Sequence, residues 1–113
     1  MLDQPMEYFF HDYGTGELVD SSDPVDGEPD EIMKVWDEMS GTPRSFFGVV
    51  VRAEETLQFR WEGSEVLMVD IPMPSLGGSR QLRASGEFCR ELLERSIKAG
   101  EIPEVEGLEF QSW

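Results

Sequence analysis

The sequence contains very little cysteine and no lysine or arginine in its first 33 positions. Cys89 is the only cysteine in 113 residues, which excludes a disulfide framework and any metal site built from several cysteines. No apolar run approaches the ~18 residues that a membrane-spanning helix needs. The N-terminus lacks the basic start and cleavage pattern of a secretion signal. These absences predict a cytoplasmic protein that does not associate with membranes.

Basic residues are scarce overall, with nine lysines and arginines against 24 acidic residues and a formal charge of −15. Residues 1–43 carry twelve acids and one base (−11), whereas residues 44–113 carry twelve acids and eight bases (−4). Such a surface repels the phosphates of nucleic acids and anionic membranes and attracts basic surfaces. The charge therefore argues against direct nucleic-acid binding and favours a basic protein partner.

The length predicts a single domain over residues 1–113. Strand patterns occupy 46–52, 57–62 and 66–71, and the remaining strands of the sheet are drawn from four candidate segments, 6–11, 17–19, 79–84 and 108–111. One helix is expected to begin at Pro29 and to end at Gly41 and Pro43, with Ile32, Val35, Trp36 and Met39 on its buried stripe. A second helix follows Ser85 as N-cap and ends at Gly100, with Phe88, Cys89, Leu92, Leu93 and Ile97 facing the core. The predicted fold is α+β, an antiparallel sheet of about five or six strands with two helices packed on it.

The stretch ETLQFRWEGSEVLMVDIP predicts a β-hairpin whose register follows from its pattern. A two-residue turn at Gly63-Ser64 would place Leu57 opposite Asp70. A three-residue loop instead places Leu57, Phe59, Leu67 and Val69 on one face, away from Asp70. The loop Trp61-Glu62-Gly63 is the favoured one, because Gly63 accepts a left-handed backbone.

The acidic residues of the first third are the predicted partner-binding residues. An exposed loop at about residues 20–28 and the first helix after it carry most of them. Aromatic side chains often provide the central contacts of an interface, and Tyr8, Tyr13 and Trp113 are candidates for that role. The predicted contact residues are Asp20, Asp23, Asp26, Glu28, Asp30, Glu31, Asp37 and Glu38.

No catalytic, metal-binding or cofactor-binding residue is predicted. His11, the only histidine, needs a partner within reach to act as a general base. Cys89 lies near a helix N-terminus, which lowers a thiol pKa, but on an apolar stripe whose burial raises it, so a core role is favoured. The acidic loop does not match the ligand positions of an EF-hand, which leaves weak cation binding by Asp20, Asp23 and Asp26 as a minor alternative.

The stretch TLQFRWEGSEVLMVDIP…GGSRQLRASGEFCRELLERSIKAGEIP resembles small bacterial immunity proteins, the antidotes of polymorphic or contact-dependent growth-inhibition toxins. The resemblance lies in an LQF.W strand, a glycine turn, an apolar strand ending in DIP, a GGSR loop and an amphipathic helix ending in AG, and it covers residues 46–103. It implies a cytoplasmic, non-enzymatic inhibitor that binds a cognate toxin with a basic active-site cleft. The acidic residues would then take the place of the phosphates that such a cleft binds.

Three alternatives remain beside that interpretation. An acidic DNA mimic would inhibit several nucleic-acid-binding proteins rather than one toxin. A small enzyme would depend on His11 or Cys89. A subunit of a larger assembly would carry its acids for solubility alone.

Overall fold

A computed structural model describes residues 6–52, 55–63 and 65–113, and these residues form one antiparallel sheet and two helices. The strands are β1 (Met6–His11), β2 (Leu18–Val19), β3 (Val25–Gly27), β4 (Phe46–Arg52), β5 (Glu55–Trp61), β6 (Val66–Met73), β7 (Gly78–Ser85) and β8 (Glu109–Ser112). The helices are α1 (Pro29–Asp37) and α2 (Gly86–Ala99), and a short 3₁₀ turn covers Pro74–Leu76.

The strands lie in the order β2-β1-β4-β5-β6-β7-β8, and β3 pairs with β1 beside β2. Every pairing is antiparallel. The predicted α+β class is confirmed, although the sheet has eight strands rather than five or six. The acidic loop accounts for one of them, because Val25–Gly27 pairs with β1 through Tyr8↔Val25 and Glu7↔Asp26.

The hairpin prediction is confirmed for the side chains that are buried, but it is wrong for the residues that form the loop. Leu57, Phe59, Leu67 and Val69 are all fully buried on the face that the helices cover. Trp61 is not in the loop, because it pairs with Leu67 at the end of the two strands. The backbone N–H of Glu62 then donates to the carbonyl of Val66 at 2.9 Å. Ser64, part of the alternative turn, lies outside the described residues.

Trp36 packs helix α1 against three aromatic rings of the sheet. Its ring centroid lies 5.4 Å from that of Phe47 and 5.0 Å from those of Phe59 and Trp61. The helix ends earlier than predicted, with Glu38 as its C-cap, so Met39 follows the helix and packs only partly against the core. Aromatic contacts of this kind make α1 an integral part of the core.

Helix α2 begins and ends as its sequence predicts. The backbone N–H of Phe88 donates to the Ser85 hydroxyl at 3.2 Å, and Gly100 closes the helix with a left-handed backbone at φ 69°. The prediction that Phe88 belongs to the buried stripe is wrong, because its side chain is 41% exposed. The buried face contains Ser96 instead, whose hydroxyl donates to the Leu92 carbonyl at 2.7 Å.

Candidate binding surface

Six exposed carboxylates follow one another along β3, the turn before it and the start of α1. We define them as the acidic surface: Asp20, Asp23, Asp26, Glu28, Asp30 and Glu31. The pairing of β3 with β1 fixes the middle of this segment to the edge of the sheet. Pro29 begins α1, so Asp30 and Glu31 lie in the first turn, where the helix dipole favours negative charge. The sequence thus holds these carboxylates on ordered backbone rather than on a long free loop.

Some of these carboxylates stabilise their own backbone. Asp20 accepts hydrogen bonds from the Ser22 N–H at 2.8 Å and the Ser22 hydroxyl at 2.7 Å, which lower the pKa of the Asp20 carboxyl. Glu31 accepts from the N–H of Glu28 at 3.3 Å. Within the described ranges, the side chains of Asp23, Asp26 and Asp30 have neither a hydrogen-bond donor nor a basic partner.

A further carboxylate, Glu7, belongs beside this surface and was not among the predicted contact residues. Glu7 lies directly opposite Asp26 across the β1–β3 pairing, and both side chains are exposed. Like charges in directly opposed strand positions are destabilising. The only signal for this pair would have been the register of β3, a strand that its acidic three-residue sequence does not indicate.

Asp37 and Glu38 have different surroundings. Arg90 on α2 contacts both carboxylate oxygens of Asp37, at 2.7 and 2.8 Å, and its hydrogen bonds lower the pKa of Asp37. This forked pair joins the two helices across their exposed sides. Glu38 is exposed at the end of α1 and has no ion-pair partner among the described residues. A cationic partner that binds at Asp37 must therefore compete with Arg90, whereas Glu38 is available.

A groove lies between the β1–β2 pair and the C-terminal half of α1. We call it the α1 groove. It has a volume of about 470 Å³. Its floor is apolar, from half-buried side chains that rest against the core on one side and are open on the other. The residues that line it are Tyr8, Phe10, Asp12, Glu17, Leu18, Val19, Val35, Glu38 and Met39.

The rim of the α1 groove is acidic. Glu31, Val35 and Glu38 follow the i, i+4, i+7 spacing of one helix face, and Glu17 lies across the groove. Burial and the nearby negative charge of Glu31 raise the pKa of Tyr8, whose ring forms part of the wall. No lysine or arginine is among the described residues that line the groove. Glu31 belongs to the acidic surface and shares a helix face with Val35 and Glu38, so the groove adjoins that surface.

Asp12, at one end of the groove, is a buried structural carboxylate that the sequence did not mark out. It is 2% exposed and accepts from the N–H and the hydroxyl of Ser40, at 2.7 and 2.5 Å, and from the Gly14 N–H at 2.8 Å. Burial raises the pKa of Asp12, but its hydrogen bonds from Ser40, Gly14 and Thr15 together outweigh that effect and lower it. Asp12 thus ties the β1–β2 turn to the segment after α1.

Over strands β5–β7, on the face of the sheet away from the helices, two acids have partners within the molecule. Asp70 accepts from the amides of Gln81 at 3.1 Å and Gln58 at 3.5 Å. Glu62 pairs with Arg60 and Arg83, both at 2.8 Å, and the hydrogen bonds from Arg60 and Arg83 lower the pKa of Glu62. A pocket of about 280 Å³ lies over these strands, with Ser21 at its edge. Asp70 and Glu62 thus have hydrogen-bond or ion-pair partners among the described residues, unlike Asp23, Asp26 and Asp30.

His11 and Cys89 lie on opposite sides of the sheet. The His11 ring stacks on Tyr13, with 4.0 Å between ring centroids, on the face away from the helices. Cys89 is fully buried under α2, and burial raises the pKa of its thiol to about 12. The two side chains therefore do not form a catalytic pair. Of the aromatic contact candidates, Tyr13 and Trp113 are 52% and 71% exposed, whereas Tyr8 belongs to the core at 6%.

Asp20, Asp23 and Asp26 do not form a recognisable cation site. No group of three or more His, Cys, Asp or Glu side chains able to hold a metal ion occurs in residues 6–52, 55–63 and 65–113. Neither described helix has the length and apolar character that a membrane crossing would require.

Comparisons of the chain with protein-family models, with curated proteins and with solved structures found no match.

Proposed function

We propose that this protein is an immunity-type inhibitor that binds a basic cognate toxin through the acidic surface and blocks its active site. The observation that carries the proposal is the state of Asp23, Asp26 and Asp30. Among the described residues these exposed carboxylates have no partner, although other acids of the molecule are paired with arginine. The resemblance of residues 46–103 to immunity proteins supports the same function.

The energetics favour a partner rather than solubility as the reason for the charge. A net charge of −15 exceeds the magnitude of about 2–8 that keeps a small domain soluble. The excess destabilises the fold by self-repulsion, and the Glu7–Asp26 pair is one place where that cost arises. A cationic cleft removes the repulsion on binding and also steers the two proteins together, so association is fast at low salt.

The proposed mechanism is occlusion. A toxin that acts on nucleic acids or nucleotides needs lysine and arginine to hold phosphates. The carboxylates of the acidic surface compete for these residues, and the sheet with its two helices supplies a rigid body that fills the cleft. No chemical step by this chain is required.

The test is capture of the toxin by the tagged protein from native lysate at low salt, followed by expression of the captured protein alone and with the inhibitor. We expect one basic protein that arrests growth alone and is harmless on co-expression. The triple variant Asp23→Ser, Asp26→Ser, Asp30→Ser should lose capture and protection. The matched control Glu91→Gln, Glu104→Gln, Glu106→Gln removes three exposed acids elsewhere and should retain both.

Other outcomes separate the alternatives. Capture of several nucleic-acid-binding proteins with similar affinity would favour the DNA mimic. Equal behaviour of the two triple variants would show that the acidic surface has no special role. An association rate that does not fall with added salt would also contradict the proposal, because ions screen the long-range attraction between exposed charges beyond about 8–10 Å.

A further inference from the structure

We infer that the α1 groove receives an apolar side chain of the partner protein whose neighbours in the sequence are basic. The inference deepens the proposed function and rests on it, since both require a basic partner. It adds a defined contact to a surface that otherwise offers only charge. The contact is a half-open apolar floor between carboxylates on opposite walls.

The floor is suited to an apolar group. Phe10, Val35 and Met39 each pack against the core with one side and leave the other accessible. Leu18, on the two-residue edge strand, is 51% exposed. An inserted side chain would remove this apolar area from water, which is the main favourable term in protein association. The volume of about 470 Å³ lies within the range of about 300–1,000 Å³ typical of ligand pockets.

The rim selects the charge of the flanking residues. Glu17 and Glu38 are exposed on opposite walls, and the described residues offer neither of them an ion-pair partner. Lys34 is the only base of α1, and it is not paired with Glu38 one turn later. A lysine or arginine on each side of the inserted residue would pair with Glu17 and Glu38.

The same charges exclude other occupants. A second copy of the chain would bring its own charge of −15 to an acidic rim, so self-association is opposed by repulsion. An acidic segment is repelled for the same reason. A neutral apolar molecule would fit the floor but leave the carboxylates of Glu17 and Glu38 without partners.

Short peptides test the inference without the toxin. The probes are acetyl-Arg-Phe-Arg-amide, acetyl-Arg-Gly-Arg-amide and acetyl-Glu-Phe-Glu-amide, titrated into the full chain at low salt and followed by NMR. We expect Arg-Phe-Arg to shift the Met39 methyl and Val35 resonances and to bind about tenfold more tightly than the other two, because it alone satisfies floor and rim. Glu17→Gln with Glu38→Gln should weaken it several-fold, and Glu91→Gln with Glu104→Gln should not.

Three results would overturn the inference: equal binding of Arg-Phe-Arg and Arg-Gly-Arg, shifts confined to residues outside the groove, or no binding by any peptide. Self-association of the protein with burial of Leu18 would overturn it as well. If the peptides fail while the Asp23, Asp26, Asp30 variant still loses the captured toxin, the proposed function stands and the groove has no part in it. If the peptides bind the groove but the toxin is unaffected by that variant, the acidic-surface mechanism fails and the groove contact remains.

Discussion

The first region of the chain, residues 1–43, and the second region, residues 44–113, differ in how many bases accompany their acids. Residues 44–113 carry twelve acids and eight bases, and Glu62 and Glu94 pair there with nearby arginine or lysine. Residues 1–43 carry twelve acids and one base, and the described acids of that region have one arginine partner, which Arg90 supplies to Asp37. The comparison indicates that acids and bases are nearly matched in number in residues 44–113, whereas residues 1–43 present a large excess of carboxylates.

The two regions do not divide into a scaffold and an attachment. Ile32 and Trp36 of the N-terminal third are buried in the core, and the Trp36 ring packs on Phe47 of β4. The acidic surface therefore stands on elements that the core itself holds in place. A binding site on such rigid support loses little conformational entropy when a partner arrives.

The largest expected loss of stability is in the core of the second region. Phe47→Ala should lower the free energy of unfolding by about 3–5 kcal/mol, because Phe47 is fully buried and its removal leaves a cavity beside Trp36. Leu18→Ala, in the first region, should change it by less than about 0.5 kcal/mol. Urea denaturation with an unchanged m-value measures both. Similar losses at the two sites would show that the exposed groove edge is part of the core.

A smaller loss of stability is expected at Asp12, an acid of the first region whose hydrogen bonds stabilise the fold. Asp12→Asn keeps the shape but puts an amide donor against a backbone donor, Ser40 N–H or Gly14 N–H. The free energy of unfolding should fall by about 1–3 kcal/mol at neutral pH. The matched control is Asp23→Asn, which removes an exposed and unpaired carboxylate and should be nearly neutral.

The pH dependence of this loss has a definite sign. The folded-state pKa of Asp12 is lowered, so the folded protein binds that proton more weakly than the unfolded chain does. The stabilisation is complete above the unfolded pKa of about 3.9 and is lost as the pH falls through the folded pKa. The stabilities of wild type and Asp12→Asn should therefore begin to converge below about pH 4 and meet only below the lowered pKa of the folded protein. A constant difference down to lower pH would mean that Asp12 acts through shape rather than charge.

Local patterns were sufficient to predict the elements that bury a regular apolar face. The alternation of Leu57 and Phe59 with polar residues, and the position of Asp70, determined which face of the hairpin is buried. The same patterns did not locate the loop, because the burial of Trp61 depends on contact with Trp36, far away in the sequence. Phe88 was misplaced for a related reason, since the packing of α2 buries Ser96 instead.

The binding surface was predictable only as a set of charges. The acidic residues and their exposure follow from composition, but strand β3 forms because β1 offers it an open edge. The α1 groove requires β1, β2 and α1 to meet, and no local pattern predicts that meeting. The sequence also gives no sign that Asp37 pairs with Arg90, because 53 positions separate them.

The smallest effect expected concerns the charge repulsion that distinguishes the two regions. Glu7→Gln should raise the melting temperature by about 1–3 °C at low salt, because it removes one of two acids that face each other across β1 and β3. The gain should disappear at high salt and in a background with Asp26→Ser, where the repulsion is already absent. Glu109→Gln on β8 is the control, since its partner across the strands is Gln81 rather than an acid. If Glu7→Gln gives no gain, or one that salt does not change, the acidic surface costs the fold nothing, and the argument that a partner compensates for its charge loses its energetic basis.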